Sequence, residues 1–244
     1  MPTAQAVKQA IKQARQALKA EAYADALGAY AEAAAAFEAL PEPLSELEGL
    51  YLEWAHAYFK GGQPGDALTT TSLYLQRLTV FSPELQERVQ YLLAQSHFAY
   101  ARDLQTAEPE KARQHFHKAL GYHGLSDFQR AEAFYHQGVV LMQLKALKEA
   151  TASFDSALQA FMTLQEHFWA GMTRLKLGMV ALIQGQVEPA KTQAEHVIAF
   201  LQDKPMGTGE QALSKTAHEL MYELCRYQRD DAGASYWQAK LAES

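Results

Sequence analysis

Cysteine is nearly absent from this chain. Cys225 is the only one in 244 residues, which excludes an internal disulfide and any multi-cysteine metal site and fits a reducing compartment. No uncharged apolar run approaches the roughly 20 residues needed to cross a bilayer. The opening segment has charges spread through it and no continuous apolar stretch, so it does not read as a secretory signal. A soluble, cytoplasmic protein with no membrane partner is expected. Walker-type loops, a glycine-rich dinucleotide turn, HExxH and Gly-x-Ser-x-Gly are all missing, so neither a reaction nor a cofactor is expected. Basic residues are the minority: 22 against 28 acids leave a formal charge of −6. That balance offers no overall attraction to nucleic acid. His115 and His117 stand two apart on a helix and point away from each other, so with His123 they do not make a metal site.

Apolar residues are plentiful, at 48%, enough for a substantial core. They recur at spacings of three and four almost everywhere, and no alternating stretch reads as a strand, so the expected fold class is all-α. A longer period lies over this one. Gly138 is followed twelve residues later by Ala150, then by Phe154 and Ala157, and Gly178 is followed twelve later by Ala190, then Ala194 and Val197. Ala14 with Ala26, Ala55 with Ala67 and, six residues further apart, Ala94 with Ala112 extend the series, and Leu220 with Ala232 is read as a degenerate sixth pair. Four residues beyond the second member come Tyr30, Thr71, Phe116, Phe154, Ala194 and Tyr236; three further come Ala33, Tyr74, Ala119, Ala157, Val197 and Ala239, with Thr71 and Tyr74 off the pattern. Small residues at fixed separation let two antiparallel helices approach closely while larger ones fill the seam.

Helix boundaries are marked as the repeat requires. Pro64, Pro109 and Pro189 fall near the start of the second helix of their units, where the missing backbone donor costs nothing. Ser45 with Glu48 and Ser126 with Gln129 have capping-box spacing, and Ser82 before Pro83 reads as an N-cap. Breaks are expected at residues 40–44, 61–65 and 204–209, and the stretched third unit should lengthen a helix or bulge its turn. The chain is thus read as one domain, 1–244, of helix pairs at about 4–40, 45–80, 83–121, 126–162, 165–203 and 210–242.

Residues 131–158, with Phe134, Gly138, Leu141, Ala150, Phe154 and Ala157 in place, and residues 174–198 resemble the tetratricopeptide repeat family. The spacing is near 40 residues rather than that family's 34, and the closing proline is absent, a variant that looks like bacterial regulatory and peptide-sensing repeat proteins. The resemblance implies a right-handed superhelical solenoid of antiparallel helix pairs whose first helices form a concave wall. It also implies a non-catalytic adaptor or scaffold.

By register, that wall takes Lys8, Lys12, Arg15 and Lys19 from the first helix, then Glu53, His56 and Lys60, then Arg88, Leu92 and Gln95. Glu132, His136, Val139 and Gln143 follow, and last Met172, Lys176, Met179 and Ile183. A neighbouring row reads Ile11, Leu52, Tyr91, Tyr135 and Leu175. Residues 1–20 contain four bases and no acid, which leaves −10 on the rest of the chain. Lys8, Lys12, Arg15, Lys19, His56, Tyr91, Gln95, Tyr135, His136, Lys176 and Met179 are therefore the candidate partner-binding residues, with the acidic end of a protein or peptide set against the basic helix. Two other readings stay open for the basic face: a polar cap for a terminal solenoid helix, or neutralisation of Glu21, Asp25 and Glu32. The alternatives for the whole chain are a sensory module for a small peptide or metabolite and a homo-oligomeric scaffold.

Overall fold

A computed structural model describes residues 3–40, 49–77, 82–202 and 207–243, and every regular element among them is an α-helix. These are α1 (Ala4–Lys19), α2 (Tyr23–Glu38), α3 (Leu50–Lys60), α4 (Pro64–Arg77), α5 (Pro83–Leu104), α6 (Pro109–Gly121), α7 (Asp127–Gln143), α8 (Leu147–Thr163), α9 (His167–Ile183), α10 (Val187–Leu201), α11 (Thr208–Gln228) and α12 (Asp231–Glu243). The chain divides into two compact units, Met1–Asp103 with His117–Leu125, and Leu104–Phe116 with Ser126–Ser244. Ser45 and Glu48, residues 41–44 of the first expected break and 204–206 of the last lie outside the described residues.

The helix starts follow their sequence signals. The Ser126 backbone N–H donates to Gln129 Oε1 (3.0 Å) while the Gln129 N–H donates to Ser126 Oγ (3.2 Å), a closed capping box. Leu85 N–H donates to Ser82 Oγ at 3.2 Å. Pro64 and Pro109 are the first residues of α4 and α6, and Pro189 is the third of α10.

The turns inside five of the six pairs share one geometry. Glu21, Gly62, Lys145, Gly185 and Arg229 all have φ between 57° and 75°. At each, the next residue's N–H reaches back five positions: Ala22 to Ala17, Gln63 to Tyr58, Ala146 to Leu141, Gln186 to Ala181 and Asp230 to Cys225, at 2.9 Å in every case. This is the Schellman ending, which satisfies a carbonyl that the helix terminus leaves open. Gln165, between α8 and α9, repeats it with Glu166 bonded back to Phe161. In the first, second, fourth and fifth pairs the left-handed residue stands seven after the first small residue and five before the second. Arg229 therefore places the sixth pair at Tyr222 and Ala234 rather than Leu220 and Ala232, a correction of two residues. Ala232 and Ala239 are exposed accordingly, and so is Tyr236.

The third pair has no left-handed residue. Its first helix runs ten residues past Ala94 where α1, α3, α7 and α9 run five past theirs, and its turn has four residues instead of three. The six-residue excess is thus five in the helix and one in the turn.

Burial follows the register closely. In the first unit Val7, Ile11, Ala14, Tyr30, Ala33, Leu52 and Ala55 share one cluster with Leu92 and Leu93. Thr71 and Tyr74 are buried although they break the pattern, and Thr71 Oγ1 bonds its own helix at the Ala67 carbonyl (2.7 Å), so the Thr71 hydroxyl enters the seam already satisfied. In the second unit one cluster gathers Tyr135, Ala150, Phe154 and Phe161, and another gathers Leu175, Ala190, Ala194, Val197 and Leu220. A Cβ on Gly138 would stand 2.7 Å from the Phe154 ring, and one on Gly178 would stand 2.5 Å from Leu220 Cδ2 and 3.2 Å from the Ala190 carbonyl oxygen.

Two stability outcomes follow. Gly138→Leu should cost about 1–3 kcal/mol by overpacking against Phe154, read as a lower midpoint in chemical denaturation. Lys145→Gly should raise stability by about 0.5–1 kcal/mol, because it relieves a non-glycine residue at positive φ, and an unchanged midpoint would contradict that.

Candidate binding groove

Three helices of the first unit carry charged side chains to one groove. Arg15 and Lys19, four apart on α1, share a face, as do Glu53, His56 and Lys60 on α3 at steps of three and four. The buried Ala14 stands immediately before Arg15 and the buried Ala55 immediately before His56, so burying the small residues turns these polar ones outward. Arg88 joins from α5, and Tyr23, Tyr30 and Glu21 come from α2 and the turn before it, enclosing about 480 Å3. A second recess of about 400 Å3, lined by Leu52, His56, Glu87, Arg88, Tyr91 and Leu92, shares His56 and Arg88 with the first. The two adjoin at these residues, one charged and the other largely apolar.

Glu53 organises the charged half. Arg15 Nε donates to Glu53 Oε2 at 2.8 Å and Arg15 Nη2 to Oε1 at 2.6 Å, a two-pronged pair, and Tyr30 Oη donates to Oε2 at 3.2 Å. The hydrogen bond to Glu53 raises the Arg15 pKa, while burial, reinforced by the Glu53 charge, raises that of Tyr30. The side chains are 63% and 22% exposed, so the pair adds only about 0.2–1 kcal/mol to stability. Its effect is geometric: Arg15 is held, and the charge on Glu53 is spent.

His56 sits half-buried at the junction of the two recesses. Burial lowers its pKa, the Lys60 and Arg88 charges lower it further, and Glu53 opposes them. Tyr91, 46% exposed, opens onto the apolar recess. It is braced from behind by the segment after α6: Gln95 Nε2 donates to the Gly124 carbonyl at 2.8 Å, and His123 N–H donates to Gln90 Oε1 at 3.3 Å. Gly124 has φ 138°, and a Cβ there would stand 2.4 Å from the Tyr91 Cα.

Of the residues expected on the wall, Arg15, Lys19 and His56 line the charged recess and Tyr91 the adjoining one. Lys8 and Lys12 are exposed on α1 but line neither. Gln95 and Tyr135 are corrections: both are buried, Gln95 to hold Gly124 and Tyr135 in edge-on contact with Phe154 (5.9 Å) and Trp169 (5.5 Å). Burial pushes the Tyr135 phenol up to about 12. His136, Lys176 and Met179 belong to the second unit. There His136 stacks on Phe116 with centroids 6.1 Å apart, and Lys176, its pKa lowered by burial, has Nζ 4.0 Å from Met179 Sδ. Lys60 and Arg88, read as wall positions by register, complete the groove. The Tyr30 hydroxyl and the pairing of Arg15 with Glu53 have no signal in sequence, since the partners lie 23 and 38 residues away. Among the described residues no group of three or more His, Cys, Asp or Glu is placed to hold a metal ion, and no helix is long and apolar enough to cross a membrane.

No protein-family model matches the chain, and no curated protein matches it in sequence. Among solved structures it is similar to BtubC (BKLC) from P. vanneervenii, with a TM-score of 0.55 at 19% identity over 99% of this chain and 91% of that one. It is similar also to the apo form of RapI, with a TM-score of 0.53 at 15% identity over 98% of this chain and 74% of that one. The fold is a tetratricopeptide-like α-solenoid. A tetratricopeptide repeat protein from Parabacteroides merdae aligns more loosely, at a TM-score of 0.41 and 15% identity over 98% of this chain and 93% of that one.

The lowered His56 pKa carries a pH signature. The unfolded chain binds this proton near the ordinary value of about 6.5, before the folded chain does. Stability should therefore fall as pH drops below that value and be unaffected by His56 above it. The loss between pH 7.5 and 5.5, read from urea unfolding, should be smaller in His56→Gln; an equal loss would show that His56 does not carry it.

Proposed function

We propose that the chain is a non-catalytic adaptor whose first-unit groove holds an acidic segment of a protein or peptide partner. The observation that carries this reading is a local reversal of sign. Arg15, Lys19, Lys60 and Arg88 line one recess whose acids are Glu21 and Glu53, in a chain whose formal charge is −6. Glu53 is already taken by Arg15, so Lys19, Lys60 and Arg88 face the groove in excess. The adjoining Leu52, Tyr91 and Leu92 would receive an apolar side chain of the same segment. Helical solenoids stack short repeats into extended binding surfaces, which supports an interaction role. Opposite charge also speeds encounter and makes it salt-dependent.

A fluorescent peptide of Glu residues flanking a Leu, and its Gln counterpart, test the reading by anisotropy. The Glu peptide should bind at least ten-fold more tightly than the Gln one. Lys60→Glu with Arg88→Glu should lose that preference, whereas Lys8→Glu with Lys12→Glu should change affinity less than two-fold. Undiminished binding by the Lys60, Arg88 variant would overturn the proposal.

A further inference from the structure

The second unit holds a cleft of different chemistry, lined by Met162, His167, Arg174, His196, Val197 and Phe200 with Ala170 and Gly171 as its floor, and enclosing about 280 Å3. Among the described residues no acid lines it. Arg174 is its fixed cation, and the positions three and four away on α9 (Ala170, Gly171, Leu177, Gly178) offer it no carboxylate. Its described contacts are neutral: Nη1 donates to Gln193 Oε1 at 3.2 Å and lies 3.4 Å from His196 Nδ1, and Nη2 lies 3.8 Å from Met162 Sδ. A guanidinium can only donate, so His196 accepts at Nδ1 and carries its proton on Nε2, a second donor. The guanidinium is thus oriented by groups that leave its charge uncompensated. The remainder of the lining is apolar and soft: the Phe200 ring, in contact with the His167 ring at 5.5 Å, the Met162 thioether and Val197.

The geometry points to a binding site for a small aromatic carboxylate, with the carboxylate on Arg174 and the ring against Phe200 and Met162. Charge complementarity favours the anion, since a guanidinium matches a carboxylate with two parallel hydrogen bonds. Aromatic and thioether surfaces favour a ring over an alkyl chain. The volume, at the low end for ligand sites, favours a single ring. The site is independent of the first-unit groove, so either can fail without the other.

The test is calorimetric titration of the whole chain with phenylacetate, phenylacetamide and acetate. Phenylacetate should saturate one site, with phenylacetamide and acetate each at least ten-fold weaker. Arg174→Gln should weaken phenylacetate at least ten-fold and Arg174→Lys by less, with the helical circular dichroism unchanged, while Lys60→Glu should leave it within two-fold. If Arg174→Gln does not fold, Phe200→Leu serves in its place and should lower affinity for phenylacetate while leaving that for acetate unchanged. No saturable phenylacetate binding, equal binding of phenylacetamide, or binding unchanged by both substitutions would overturn the assignment.

Discussion

The structure depends on where each helix is made to stop. A residue in the left-handed region, seven beyond one small residue and five before the next, ends the first helix of a pair and aims the second back along it. Because both distances are constant in four of the pairs, the small residues come into register, and the seam can close to the point where Gly138 and Gly178 have no room for a Cβ. A shift of one residue in either distance would turn a helix by about 100° and present a neighbour such as Arg15, His56, Glu149 or Lys191 where Ala now lies. The hydrophobic seam and the position of the charged groove are thus both downstream of a backbone angle.

This also explains what could be read from the sequence and what could not. The small residues and their spacing were legible because packing selects them by size, and Ser126, Ser82, Pro64 and Pro109 were legible because caps and first-turn prolines act locally. The turns were less visible. Glycine announces Gly62 and Gly185, but Glu21, Lys145 and Arg229 take the same conformation without any favourable side chain, the surrounding pair holding them there. The sixth pair was misread by two residues for that reason: Leu220 looked like the repeat position, and Arg229 gave no hint of the turn.

At the groove, Arg15, Lys19, His56, Lys60 and Arg88 line the recess from the faces that helical periodicity assigned them. That periodicity could not tell a free cation from a paired one. Lys8 and Lys12 share the face of Arg15 yet line no part of the groove, and Arg15 itself is committed to Glu53, a carboxylate from another helix pair. Periodicity also says nothing about depth, so Gln95 and Tyr135 looked like wall residues until their burial was known. Arg174 was overlooked because it lies off the wall register, on the α9 face turned toward Gln193 and His196.

Gly124 shows how far the support of the proposed groove reaches behind it. Any side chain there would collide with the Tyr91 backbone, so a substitution would have to displace the very helix that presents Tyr91 and Arg88 to the groove. In a genetic screen for lost partner binding, alleles at Gly124 would therefore appear beside those at the charged positions. They would belong to a residue with no charge, no side chain and no contact with the partner.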